Sequence, residues 1–232
     1  MTLLVTLIHS PLVGPFSWMP VAERLRKRGW QTTVPRLHNQ KPDHVRFFWE
    51  YHVELVVKHL SAAPASPVVL VAHSGAGVLL PMLGRALEGR VTGYIWVDAM
   101  IPDDGKSRLD LFDTSDEAKA FREAATDGLL PAWTEEDLQE AIPDPDIRRA
   151  FAAELQPTPL AVYEEKIPVP PSWPDAPCAY LRFSETYRSM AAKAEQQGWP
   201  CRHLEGNHFH LLVDADKTAE QIEAFITNWS GR

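Results

Sequence analysis

The chain has 232 residues, with 23 Lys+Arg against 31 Asp+Glu, so its formal net charge is −8 with the histidines neutral. That balance argues against nucleic-acid binding, which needs a basic face, and the apolar runs stop after about eight residues, short of the 18 or more of a membrane span. With 45% hydrophobic residues, the length suits one large α/β domain, or one domain with an insertion, better than two independent ones, at roughly 150 residues per domain.

Short apolar runs bounded by turn residues alternate with longer amphipathic stretches, the pattern of buried parallel strands joined by crossover helices. Leu3 to Ile8 is the first strand. It has no basic segment before it and no small-residue cleavage site behind it, so a signal peptide is not expected. Two cysteines, Cys178 and Cys201, fit a reducing, cytoplasmic compartment. A helix over Val21 to Arg28 is closed by Gly29. A short strand at Gln31 to Val34, a long helix over His44 to Leu60 and a buried strand at Val68 to Val71 follow. Gly77 to Glu88 reads as a helix kinked at Pro81, and Tyr94 to Val97 as the next strand.

After Pro102 the composition shifts. Residues 103–177 show no convincing strand, only helical patches at Asp116 to Ala125, Glu135 to Ala141, Asp146 to Leu155 and Leu160 to Lys166, and they leave through a proline-rich stretch ending at Pro177. They are read as an insertion into a core of residues 1–102 and 178–232. Core rhythm resumes with a strand at Cys178 to Phe183, a helix at Ser189 to Gln197, a strand at Cys201 to Leu204 and a last helix from Lys217 to Trp229.

The chemistry concentrates in Ala72-His73-Ser74-Gly75-Ala76-Gly77, between the strongest strand and an apolar helix. A sharp strand-to-helix reversal strains the serine backbone, and bulky neighbours would strike the adjacent chain. The gain is an exposed hydroxyl near a helix start, with the Gly75 N–H available to a developing oxyanion. A helix cap alone would not need three small neighbours.

These features, with His9-Ser10-Pro11 leading to Trp18 in the manner of an H-G-x7-W segment, resemble the α/β-hydrolase superfamily, most closely its small esterases and hydroxynitrile-lyase-type members. The resemblance implies an α/β-hydrolase fold, a mostly parallel sheet flanked by helices, with the helical cap inserted after the strand ending near Asp98. It also implies a Ser, acid, His triad in that chain order, with no metal and no organic cofactor.

Ser74 is the nucleophile on this reading. His208, in Gly206-Asn207-His208 before an apolar helix start, matches the superfamily's base, and His210 is a packing or pocket residue. An H-x-H zinc site with His203 is the weaker alternative. His73 is expected to point away from the pocket, His9 to organise its loop, and His38, His44, His52 and His59 to be surface or helix-packing residues. For the acid, Asp98 at the C-terminal end of a parallel strand is favoured over Glu185, because such strand ends point into the functional crevice. Asp214 and Asp216 start the last helix.

The superfamily commonly donates a backbone N–H where this chain has Pro11, which has none. Leu12 N–H, the Ser10 hydroxyl or a water must complete an oxyanion hole with Gly75, and Leu12 is taken as the donor. Phe112, Phe121, Leu129, Leu130, Trp133 and Phe151 are candidates to roof a pocket. The expected activity is hydrolysis of a small, fairly apolar carboxylic ester or lactone through an acyl-serine. The alternatives are hydroxynitrile-lyase-type C–C cleavage with the same triad, and a non-catalytic ligand-binding protein. The expected partner is a small-molecule substrate, with no nucleic acid or membrane involved, and a homodimer is left open.

Overall fold

Every residue of β1 (Leu4–Ile8) and of β3 (Val68–Ser74) is buried, and strands with no exposed side belong inside a sheet covered on both faces. The computed structural model describes residues 3–61 and 66–230. Its chain order runs β1, α1 (Met19–Lys27), β2 (Gln31–Thr33), α2 (Phe48–Ser61), β3, α3 (Leu80–Ala86), β4 (Val91–Ala99), α4 (Ser115–Glu123), β5 (Leu129–Leu130), α5 (Pro145–Ala152), β6 (Thr158–Pro159), α6 (Ala161–Glu164), β7 (Cys178–Arg182), α7 (Arg188–Gln196), β8 (Cys201–His203), α8 (His210–Val213) and α9 (Ala215–Ser230).

Six strands form one sheet in the order β2-β1-β3-β4-β7-β8, and every neighbouring pair is parallel. The two-residue period of a strand sorts the side chains. Val5, Leu7, Val69, Val71, Ile95, Val97, Ala179 and Leu181 face α1 and α9, which offer Val21, Leu25, Ile222 and Phe225. Their chain neighbours Leu4, Ile8, Leu70, Ala72, Tyr94, Trp96 and Tyr180 face α2, α3 and α7, through Val56, Leu60, Leu83 and Ala194. The C-terminal ends of β1, β3, β4 and β7 therefore open at one edge, where open parallel sheets of this kind place their ligands.

Four expectations change. The helix expected from His44 begins at Phe48, because the Glu165 carboxylate accepts Phe48 N–H at 2.7 Å and Trp49 N–H at 3.2 Å, a start signal that lies far away in the chain. Pro81 kinks nothing. Residues Gly77–Leu79 form a 3-10 turn and α3 starts afresh at Leu80, so Pro81 occupies a first-turn position where its missing N–H has no partner to lose. Third, the segment between β4 and β7 does contain strands. Leu129–Leu130 and Thr158–Pro159 pair antiparallel, too short for any sequence period to show. Within the same segment, Glu135 to Ala141 is a run of turns rather than a helix. The Asp137 carboxylate there accepts both the N–H and the hydroxyl of Thr134, side-chain bonding that competes with helix formation.

Cys178 and Cys201, on β7 and β8, are free thiols. Among the described residues no helix is long and apolar enough to cross a membrane.

Candidate active site

Ser74 ends β3 with φ of +57°, the left-handed region that a residue with a Cβ enters at a cost of about 1–2 kcal/mol. The surrounding bonds hold it there: Met100 N–H donates to the Ser74 carbonyl at 3.1 Å, and Ala76 N–H to that of His73 at 3.1 Å. Gly77 has to be glycine, because a Cβ would run into the Met100 carbonyl and the Trp96 ring. The small residues read from the sequence are thus explained by a turn folded tightly against β4.

Asp98 leaves β4 with φ of +43° and is fully buried. Its Oδ1 accepts Phe183 N–H at 2.8 Å and Ser184 N–H at 3.0 Å, and its Oδ2 accepts the Ser184 hydroxyl at 2.6 Å. The fourth partner is His208 Nδ1, 2.8 Å from Oδ2. Burial pushes the carboxyl pKa up, but the His208 ring, the Ser184 hydroxyl and the Phe183 N–H together bring it below its ordinary value, so the group is a carboxylate. An acceptor at Nδ1 fixes the proton there and leaves the Nε2 lone pair free for another partner.

His208 is held between two rings. His73 stacks on it at 4.4 Å between centroids and Tyr187 at 5.0 Å, with interplanar angles of 27° and 11°. Although it turns to the face opposite Ser74, His73 therefore stays in the site, against expectation. It reaches under the His208 loop, and its Nε2–H donates to the His208 carbonyl at 3.0 Å. Tyr187 presents its hydroxyl to Ser74, 3.3 Å from Oγ, and among the described residues that is the hydrogen-bond partner of the serine hydroxyl. Burial lifts the Tyr187 phenol well above its usual range, so it keeps its proton.

Glu185 is not near His208's Nδ1. It is exposed and paired with Arg182 and Arg188. Ser184, immediately after β7 and its one flanking phenylalanine, occupies the neighbourhood where an acid was weighed, and it donates to Asp98 instead. His203 turns to the Phe183 carbonyl and Arg182, and His210 lies half-buried against the Phe183 ring at 5.2 Å. Among the described residues no group of three or more His, Cys, Asp or Glu side chains gathers as metal ligands would. His9 does organise its loop, with contacts to the Ser10 carbonyl and to Leu37 N–H at 2.8 and 3.0 Å. Trp18 Nε1–H ties the same loop to the Ile8 carbonyl at 3.0 Å. Leu12 N–H, the expected oxyanion donor, is engaged inside the loop by Ser10 Oγ at 3.4 Å.

Three clefts adjoin these residues: a polar one of about 580 Å³ along Pro11, Leu12, Arg36, Asn39, Leu129 and Glu154, and two smaller, more apolar ones. One of the two, of about 510 Å³, runs along Met100, Leu111, Phe112, Phe121, Met190 and Tyr187, together with Asp113, Glu117 and Glu185. The other, of about 210 Å³, runs along Leu12, Phe121, Leu130 and Trp133. Of the roof candidates, Phe112, Phe121, Leu130 and Trp133 line the two smaller clefts. Phe151 instead fills the core against Phe209 at 5.3 Å, and Leu129, though exposed, lines the cleft of about 580 Å³.

Sequence reading did not single out Tyr187, Ser184, Tyr163 or Arg108. None lies in a motif, and their proximity to Ser74 or Asp98 arises only when β7 and the segment before it fold over the sheet. Arg108 carried no signal either, standing between Lys106 and Asp110 in a polar stretch of the sequence.

A strained serine at a strand-to-helix elbow, beside a carboxylate-bound histidine at the C-terminal edge of a parallel sheet, defines a nucleophile-elbow protein of the α/β type. Residues 7–221 match the model of the alpha/beta hydrolase family, and the chain belongs to that family. Among curated proteins no sequence matches it. Among solved structures, an extracellular alpha/beta-hydrolase from a Paenibacillus species superposes with a TM-score of 0.78 at 20% identity, covering 95% of this chain and 97% of the other. Tomato methylketone synthase I in complex with 2-tridecanone gives 0.78 at 11% identity over 99% of both chains. A pyrethroid hydrolase from Sphingobium faniae gives 0.73 at 18% identity over 97% of both.

Proposed function

We propose that the protein is a serine hydrolase that cleaves a small, fairly apolar carboxylic ester or lactone through an acyl-serine. The observation that carries this reading is the 2.8 Å contact of His208 Nδ1 with the buried Asp98 carboxylate, on a ring packed beside the Ser74 elbow. Ser74 Oγ leaves Tyr187, turns to His208 Nε2 and attacks the carbonyl carbon, while Nε2 takes its proton. Asp98 orients the imidazole and stabilises the imidazolium. Gly75 N–H faces the oxyanion. His208 then protonates the leaving alcohol, and water clears the acyl group by the same steps in reverse. The largely apolar lining of the two smaller clefts, Phe112, Phe121, Leu130 and Trp133 among it, supports an apolar acyl or alcohol group.

Turnover of p-nitrophenyl butyrate tests the roles. Ser74→Ala and His208→Ala should abolish it, whereas His210→Ala should retain most of it. A Ser74→Ala protein with wild-type turnover would end this reading, and loss on His210→Ala with retention on His208→Ala would reassign the base. An acyl-enzyme trapped by acid quench separates ester cleavage from C–C cleavage, which forms none.

A further inference from the structure

Pro11 removes the loop N–H that would face a carbonyl bound at Ser74, and the next donor, Leu12 N–H, is turned to Ser10 Oγ at 3.4 Å. A hydroxyl that accepts one hydrogen bond still has its own proton to give. Ser10 is buried, and its side chain is close enough to the Tyr163 phenol to pull that phenol's pKa down by hydrogen bonding. Tyr163 comes from α6, in the segment between β4 and β7, and is itself buried. Its oxygen would stand 3.0 Å from a Cβ on Gly75, so it lies directly against the residue that supplies the other oxyanion N–H. A side chain at position 75 would press the phenol out of that place.

The setting keeps the phenol protonated and well oriented. Burial raises its pKa, with partial offset from the Arg108 charge and the Ser10 hydroxyl. Arg108 is fully buried, donates from Nε to the Gly75 carbonyl at 2.7 Å and from Nη1 to the Val162 carbonyl at 2.6 Å, and lies 5.7 Å from the Tyr163 ring centre. It thereby fixes the peptide before Ala76 and the residue before Tyr163 to a single cation.

We propose that the Tyr163 hydroxyl is the second oxyanion donor, and that it is polarised by a chain running from Leu12 N–H to Ser10 O–H to Tyr163 O–H. The inference rests on the serine-hydrolase reading. As the Ser74 Oγ–carbon bond forms, the carbonyl π pair moves onto oxygen and the serine proton passes to His208. Tyr163 and Gly75 hydrogen-bond the oxyanion and neither loses its proton. When the intermediate collapses the pair returns, the carbon–leaving-group bond breaks, and the leaving oxygen takes the proton from His208. Hydrogen bonds in series strengthen one another, so the loop's backbone dipole still reaches the oxyanion through two hydroxyls although Pro11 offers none.

The test uses p-nitrophenyl butyrate and an alkyl trifluoromethyl ketone, which binds as a tetrahedral adduct. Tyr163→Phe should lower kcat/KM about a hundredfold, the loss falling on kcat, and should weaken the ketone by the same factor. Ser10→Ala should give a smaller loss, again matched in ketone affinity, and the double variant should be no worse than Tyr163→Phe alone. A Tyr163→Phe enzyme within threefold of wild type, or a rate loss without matching loss of ketone affinity, would overturn the proposal. If Tyr163→Phe does not fold, wild-type values for Ser10→Ala would overturn it. Ser74→Ala separates the two levels: if it stays active the hydrolase reading falls, and if it is dead while Tyr163→Phe is unimpaired only the hydroxyl chain falls.

Discussion

Asp98→Asn should leave the protein folded and lower kcat for ester hydrolysis by about three to four orders of magnitude, the scale at which losing the triad tautomer acts elsewhere. Glu185→Gln should change it by less than about twofold. The asymmetry follows from the bonds around Asp98. Its Oδ1 accepts two backbone N–H groups, from Phe183 and Ser184, that cannot reverse direction. An asparagine must therefore place its oxygen there and its NH2 at the Oδ2 position, facing His208. The imidazole then carries its proton on Nε2 and cannot receive one from Ser74. Ser184 can rotate its hydroxyl to suit, which is why stability should survive. Glu185 pairs with two arginines in solvent and has no such leverage. Steady-state kinetics on the two variants checks this, and equal losses would return the acid to contention.

Acid should unfold the protein cooperatively between about pH 5 and 4. Burial lowers the pKa of His9 to about 4 and those of His52 and His73 to about 3, all fully or almost fully buried. Their neutral forms belong to the folded state. Below the ordinary value of 6.5 the unfolded chain binds protons that the folded chain refuses, so stability is full above that pH and falls as pH drops towards the folded-state values. Each histidine contributes about 1.4 kcal/mol per pH unit in that window, about 4 kcal/mol per unit for the three, against a total stability of about 5–15 kcal/mol for a domain. Urea unfolding at a series of pH values should give a slope near three protons. His52→Leu should reduce it by one. A stability that stays flat from pH 7 to 4 would contradict the burial of these rings as neutral groups.

The fold was largely legible from periodicity. The buried runs at Leu3 to Ile8 and Val68 to Val71 have no polar face, which leaves little but a sheet covered on both sides, and the helices between them follow from parallel pairing. What failed to show was set by distant contacts. The start of α2 is fixed by Glu165, and the two-residue strands β5 and β6 exist only because they find each other. The site divides in the same way. Ser74 and its small neighbours form a local motif because the strain is local, and His208 sits in a recognisable loop. Tyr187, Ser184 and Tyr163 act through hydroxyls brought in from other segments, which no spacing rule encodes. His73 does turn to the face opposite Ser74, as strand alternation at the end of β3 requires, but the loop that carries His208 folds over that face, a contact from far along the chain.

The most direct measurement is labelling with a fluorophosphonate, followed by mass-spectrometric mapping of the adduct. An activated serine should be modified rapidly, at one equivalent per chain and on the peptide bearing Ser74, with modification slowed at least a hundredfold in His208→Ala. An intact, folded protein that takes no label, or takes it on another residue, would show that the hydroxyl at the β3 elbow is not the nucleophile.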